Sequence, residues 1–423
     1  MSALKLQTLK EKLWAIVAAS FVARVIMFFV LPNSPSSLAP DEGTYAALTK
    51  WIAQSKPAAD FPAFGEGLYL SGRSIIIPAS ILNRIGVGEL DAVRLVSSLY
   101  GLLSLVLITL FTIKLLSNSD QLSRFNSRLI LLFFAVFAFL PSHFVWSTLG
   151  LREGPNEFWV LFSFISMYWV FHSKNHFQSL AYLTLFVSIV MCFSTRPQVG
   201  WVLGVGLLIY LVTQIRQIKT LIAIAAVLAG VFLGSIGTSG NAGVSIVEDP
   251  GVVITMVDGI PSRHTGNQVA AASVIETPSC PLSEMSVVSS LPSRVDTYVC
   301  ILWRAPYMTA TFLLRPYVLG DVTSTSSAFA AIENLLWFLA FGLILFFLVK
   351  RRGIPSFNKL APSLIFFALY VVGAGAYEGN MGTAFRHKSL ILGVVLALLI
   401  SLLWRNSQIS TGEARNKSTE SAV

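Results

Sequence analysis

Two adjacent acids, Asp41 and Glu42, stand in Pro40-Asp41-Glu42-Gly43-Thr44-Tyr45, about ten residues past an apolar run at 13–31. A carboxylate beside a membrane-embedded body is costly to keep dry, so it is either a solvated loop residue or a working part. As a working part it takes a proton from a hydroxyl. The same pair is equally suited to the N-terminus of a helix that begins near Gly43, and spacing alone leaves both readings open. Further polar side chains collect close to the ends of apolar runs: Tyr45, Arg73 and Arg94, Arg152 and Glu153, Arg196, Arg315, and Glu378 with Arg386, His387 and Lys388. Arginine presents a planar fork of donors that fits phosphate oxygens, and it keeps its charge. Such a group suits an anionic headgroup, and its acids can pair with the arginines when no anion is present. Simpler readings stand beside this one. Arg152-Glu153 also fits a short-loop ion pair, Arg196 before Pro197 also fits a turn, and His143 fits a packed polar residue better than a ligand. Arg24, within the first apolar run, is either functional or partnered structurally. His172, His176, His264 and His387 show no metal-ligand spacing, and no phosphate-cradling glycine loop, nucleophile elbow or dinucleotide fingerprint occurs.

The elements that must position these residues follow from composition. Of 423 residues 54% are hydrophobic and 12% charged, against roughly 25% charged in soluble domains. Mean hydropathy is +0.71. A spanning helix needs about 20 mostly apolar residues. About ten segments qualify: 13–31, 93–116, 129–147, 157–172, 179–194, 198–214, 220–237, 328–349, 360–377 and 389–404. Close spacing around 157–214 also admits nine or eleven. The alternating pattern of a barrel is absent, and backbone amides in lipid must be bonded internally. The expected fold class is therefore all-α, a polytopic integral membrane bundle of about ten transmembrane helices. Lys and Arg concentrate on the side that holds the N-terminus, with Lys350-Arg351-Arg352 the clearest anchor. This predicts both termini in the cytoplasm, in an integral plasma (inner) membrane. The net charge of +9 is then a topology signal and not a nucleic-acid footprint. Arg152, Arg196 and Arg386 run against the inside bias. The first run has no small-residue cleavage site after it and reads as an uncleaved anchor.

Two outer regions break the hydrophobic rhythm, 32–92 and 238–327. Leu48, Trp51 and Ile52 recur at helical spacing within 43–56, and the stretch 74–86 is apolar but short and contains Pro78. Both read as helices lying in the interface. In the second region 300–317 sets Trp303, Tyr307 and Phe312 among Arg304 and Arg315, which predicts another interfacial helix. Residues 1–404 read as one transmembrane domain, and the polar stretch 405–423 as a disordered cytoplasmic tail. Cys192 falls in a predicted span. Cys280 and Cys300 share the large outer loop, where an oxidising compartment lets them pair; two free thiols is the other reading. The sequon at Asn416 lies on the inner side, where it is not used.

Taken together, these features resemble a known family. Leu38-Ala39-Pro40-Asp41-Glu42-Gly43-Thr44-Tyr45 looks like the first-loop Asp-Glu-x-x-Tyr motif of the GT-C superfamily of polytopic glycosyltransferases, more narrowly the protein mannosyltransferase and lipid A aminoarabinose transferase branch, in a bacterial member. Leu90-Asp91-Ala92-Val93-Arg94-Leu95, Leu313-Leu314-Arg315-Pro316-Tyr317 and Gly382-Thr383-Ala384-Phe385-Arg386-His387 are similar to family segments in the same order, over about residues 10–400. The resemblance implies a membrane glycosyltransferase. It would move a sugar from a polyprenyl-phosphate-linked donor to an extracytoplasmic glycan, lipid or protein acceptor, with inversion. Asp41 would be the general base with Glu42 beside it, and Arg152, Arg196 and Arg386 would hold the donor phosphate, supported by His387 and Lys388. Tyr45, Arg73, Arg315 and Glu378 complete the candidate substrate-binding set. The family often has an Asp in its second outer loop, where this chain has Arg152-Glu153-Gly154. The large soluble C-terminal domain of many relatives has no counterpart here, so loops would recognise the acceptor. The scheme requires no cofactor and no metal, although Asp41, Glu42 and Glu153 are able to recruit a divalent ion.

Two other readings fit part of the pattern. A polysaccharide polymerase or ligase would use lipid-linked oligosaccharide and arginine-rich outer loops, but needs no acid directly after the first span. A transporter or flippase of an anionic lipid or solute also suits about ten spans and outward arginines. Transporters, however, place charge near the midplane in repeated halves. No repeat is visible, and only Arg24 reads as clearly intramembrane.

Overall fold

The computed structural model describes residues 3–35, 39, 41–62, 65–117, 124–173, 175–236, 293–317, 321–322, 325–351, 357–377 and 381–403. Among these the chain is all-α. Helix α1 covers Ala3–Val30, and α2 (Asp41–Ala53), α3 (Gly65–Leu70) and α4 (Arg73–Arg84) follow. Then come α5 (Glu89–Ser117), α6 (Arg124–Phe139), α7 (Pro141–Thr148), α8 (Glu153–His172), α9 (Asn175–Phe193), α10 (Pro197–Thr213) and α11 (Ile218–Ile236). The last five are α12 (Ser293–Leu314), α13 (Thr325–Arg351), α14 (Phe357–Tyr377), α15 (Met381–His387) and α16 (Ser389–Leu403).

Five stretches are long and apolar enough to cross a membrane by length and composition: Gln7–Val30, Glu89–Lys114, Ser127–Thr148, Ile218–Ser235 and Ser327–Val349. Phe177–Phe193, Pro197–Thr213, Leu360–Gly375 and Ser389–Leu403 are shorter apolar helices. Several helices of this kind make the chain a multi-pass membrane protein. Helices overlie all ten apolar segments of the sequence. Five of those segments have the length and composition to span.

Prolines set two of the breaks. Leu140, ahead of Pro141, is extended (φ −62°, ψ 131°), and Pro141 takes the first position of α7. Arg196, ahead of Pro197, is also extended (φ −152°, ψ 102°). A residue before proline avoids the helical region, whereas proline itself suits a first helical turn. Each break therefore ends one helix and starts the next.

The core has two parts. The larger runs down the bundle through Leu13, Phe134, Leu185, Phe193, Leu203 and Phe366, with α8 packed on α5 and α9, and α10 on α14. The smaller joins Tyr45, Ile75, Ile76, Val93, Trp146 and Phe385, seating α2 and α4 on the start of α5 and the end of α7. Helix α4 contains Pro78 and leaves Ile77, Ile81 and Ile85 exposed, and α12 packs along α14 with Trp303 and Tyr307 exposed. The helix read at 300–317 thus starts earlier, at Ser293, and ends at Leu314. The expectations for Glu378, Cys280, the side chain of Cys300, the whole of 238–292 and the tail 405–423 lie outside the described residues.

Candidate functional site

Asp41 and Glu42 open α2, where acids favour the positive end of the helix dipole. Their side chains nevertheless diverge. The Glu42 side chain is fully buried and receives Arg94 Nε on Oε1 at 2.7 Å and Arg94 Nη2 on Oε2 at 3.0 Å. The Gly150 N–H also donates to Glu42 Oε1 at 3.0 Å. Arg94 also donates to the carbonyls of Pro32 and Ser34, at 2.8 and 3.1 Å. One ion pair therefore ties the end of α1, the start of α2, α5 and the α7–α8 turn together. A buried bidentate pair with its remaining groups bonded fixes geometry as well as charge.

Asp41, by contrast, is 56% exposed and faces Arg386 Nη1 at 3.6 Å. The Arg386 guanidinium also lies over Trp146, 6.0 Å from the ring centroid. Glu153, at the first position of α8, pairs with Arg196 Nη2 at 3.0 Å, and Arg196 Nη1 contacts His387 Nε2. Burial by itself raises the Glu153 carboxyl. The charges of Arg196, Arg386, His387 and Arg152 outweigh it and hold the group well below the ordinary carboxylate range. Arg152 donates to the Ser71 carbonyl at 3.3 Å and lies over the Tyr45 ring at 5.7 Å. Burial raises the Tyr45 phenol, with Arg152 opposing.

Asp41, Tyr45, Arg152, Glu153, Arg196, Arg386 and His387 thus meet at one end of the bundle. Arg73 opens α4 beside Ser74, whose hydroxyl receives Thr195 Oγ1 at 2.8 Å, so it lies toward the same end as Arg196. Arg315 and Lys388 form an adjoining group. Arg315 pairs with Asp321 through Nε–Oδ2 at 2.9 Å and through Nη2–Oδ1. Lys388 is buried and donates to the Arg315 carbonyl at 2.8 Å and to Asn334 Oδ1 at 2.6 Å. Burial lowers its ammonium to about 7, with Glu333 opposing. Among the described residues no His, Cys, Asp and Glu group is arranged to hold a metal.

The rim holds three guanidiniums, on Arg152, Arg196 and Arg386, against the two carboxylates of Asp41 and Glu153. One positive charge in excess, fixed by packing, is an anion-attracting arrangement. The exposed Asp41 carboxylate beside it is able to accept a proton.

Sequence reasoning passed over Glu157 and Glu333. Both are buried, and Glu333 lies inside the apolar stretch Ser327–Val349, so Arg24 is not alone among charged residues within apolar helices. An acid inside an otherwise apolar run was the available signal. Glu333 receives the Ser142 N–H at 2.7 Å and Trp337 Nε1 at 3.0 Å, and Glu157 meets His143. Compared with known proteins, the chain matches no protein-family model and no curated protein sequence.

Proposed function

We propose that this chain is a polytopic membrane glycosyltransferase of the GT-C type. It transfers a hexosyl or pentosyl unit, with inversion, from a polyprenyl-phosphate donor to a hydroxyl of an extracytoplasmic glycan, lipid or protein. The observation that carries this reading is the exposed Asp41 beside Arg386, whose charge also acts on Glu153 within the Arg152–Arg196–His387 cluster. In this scheme Asp41 takes the acceptor proton as the acceptor oxygen bonds to the anomeric carbon. The carbon–oxygen bond to phosphate breaks, and the polyprenyl phosphate leaves with the electron pair. Guanidiniums already in place stabilise that developing charge without reorganising, which is where electrostatic catalysis gains most.

Ten passes with both termini in the cytoplasm are part of the same proposal. Supporting them, residues 41–45, 150–153, 195–196, 315 and 386–388 all lie at one end of the bundle, although helices run away and return between each group. Helices α1 and α16 each have one end there, so Ala3 and Leu403 lie toward the other end. The apolar cavity lined by Phe111, Leu161, Tyr168, Pro362 and Val394 lies deeper, among α5, α8, α14 and α16.

The test is transfer by the purified full chain in nanodiscs, supplied with a panel of polyprenyl-phosphate sugars and an envelope extract as acceptor. Release of polyprenyl phosphate matched by sugar in the acceptor is expected. Movement of a lipid or solute across a proteoliposome membrane without cleavage of any donor contradicts the reading and favours transport.

A further inference from the structure

A second buried ionic group lies away from the rim. Arg24, His143 and Glu157 are 3%, 0% and 1% exposed and come from α1, α7 and α8. Arg24 Nη2 lies 3.2 Å from His143 Nε2 and donates to Ser147 Oγ at 3.0 Å, while Nη1 donates to Ser20 Oγ. His143 Nδ1 is 2.9 Å from Glu157 Oε2. The Arg24 guanidinium sits over Phe144 at 4.8 Å, and the His143 ring stacks on Phe137 at 4.7 Å. From α13, Glu333 reaches the neighbouring Ser142 amide.

Donor counting sets the state of the histidine. Arginine has five N–H donors and no acceptor, so the atom facing Nη2 must carry a lone pair. That leaves Nε2 bare and the ring proton on Nδ1, where it donates to the Glu157 carboxylate. An imidazolium would instead point an N–H at an N–H across 3.2 Å.

Helix α7 has only eight residues, with extended residues at both ends, so it continues neither flanking helix. Packing on α5 and side-chain ties hold it in place, the ties running to α1 through Arg24, to α8 through Glu157 and to α13 through Glu333. From its last turn the chain runs into Gly150, whose N–H binds Glu42, then Leu151, whose carbonyl receives Ser97 Oγ at 2.9 Å, and then Arg152 and Glu153. Gly101 of α5 lets this group close: a Cβ there would meet Ser147 and would stand 3.1 Å from Arg24 Nη2.

We infer that the Arg24–His143–Glu157 chain is a positioning device for the rim, in which His143, neutral with its proton on Nδ1, joins the two buried charges and holds α7 at the register that presents Gly150, Arg152 and Glu153. Helix α7 does this whichever reaction occurs at the rim. The experiment has two arms on the full chain in nanodiscs. In the first, nitrogen-15 spectra of histidine-labelled protein at neutral pH are expected to show His143 singly protonated at Nδ1. A proton on Nε2, or on both nitrogens, overturns the bridge. In the second, amide hydrogen exchange of the peptide 146–156 is compared between the wild type and R24M/H143F/E157M. Replacing the whole buried ionic group by apolar side chains leaves no orphaned charge, so this variant is expected to fold where H143F alone leaves two. Exchange at Gly150 is expected to rise about tenfold, while exchange in α9 to α11 is unchanged. Unchanged exchange at Gly150 overturns the positioning role. Glutamine retains both a donor and an acceptor, so H143Q is expected to exchange at Gly150 more slowly than the triple variant, and exchange as fast as in that variant overturns the hydrogen-bonded bridge.

Discussion

Asp41 and Glu42 are neighbours with opposite surroundings, and their substitutions should separate accordingly. Glu42→Gln leaves Arg94 charged and buried. Removing one partner of a buried pair costs about 3–5 kcal/mol, so thermal unfolding in detergent should show a large loss for Glu42→Gln. Asp41→Asn, at a half-exposed side chain, should stay within about 0.5 kcal/mol of wild type. Equal losses would mean that Asp41 is structural too. Glu153 adds a pH dependence. Its carboxyl has an ordinary value of 4.5 and is held lower in the fold. Its contribution to stability is therefore present above pH 4.5 and is lost as pH falls toward its folded value. Glu153→Gln should weaken the fold at neutral pH and shrink the loss on acidification, read from melting curves across the acid range. The adjacent pair of acids was legible in the sequence; their unequal burial was not. That inequality is set by Arg94, 52 positions away, and local spacing carries no information about a partner so distant.

At the scale of elements, the breaks at Leu140-Pro141 and Arg196-Pro197 follow from proline chemistry and could be read in advance. The close approach of α8 to α5 could not, because it depends on which faces meet. A Cβ on Gly154 would sit 2.8 Å from the Ser97 carbonyl, a backbone atom that cannot rotate away. Gly154→Ala should cost about 1–3 kcal/mol by overpacking, measured as a lowered unfolding temperature. An unchanged temperature would mean that α8 shifts freely at its first turn. Glu333 shows the opposite failure. Its type was visible in an apolar run, but only the fold shows that it caps α7 through the Ser142 amide.

For the whole molecule, hydropathy located helices well because lipid forces backbone groups to be bonded within each segment. It did not distinguish spanning helices from shorter apolar ones, since several fall below the usual spanning length. The proposed topology predicts sidedness. Lys56 and Gln217 are both exposed and lie in segments assigned to opposite faces. With the native cysteines replaced by serine, Lys56→Cys should react with an impermeant maleimide on intact cells, and Gln217→Cys only after permeabilisation. Reaction of both, or the reverse order, would refute the ten-pass arrangement. Purified Asp41→Asn bears on whether Asp41 is the base of a sugar transfer at this arginine-lined rim. Donor binding and folding should match wild type while transfer falls by about 10²–10⁴, the usual contribution of a positioned base. Transfer near the wild-type rate in that variant would contradict that role.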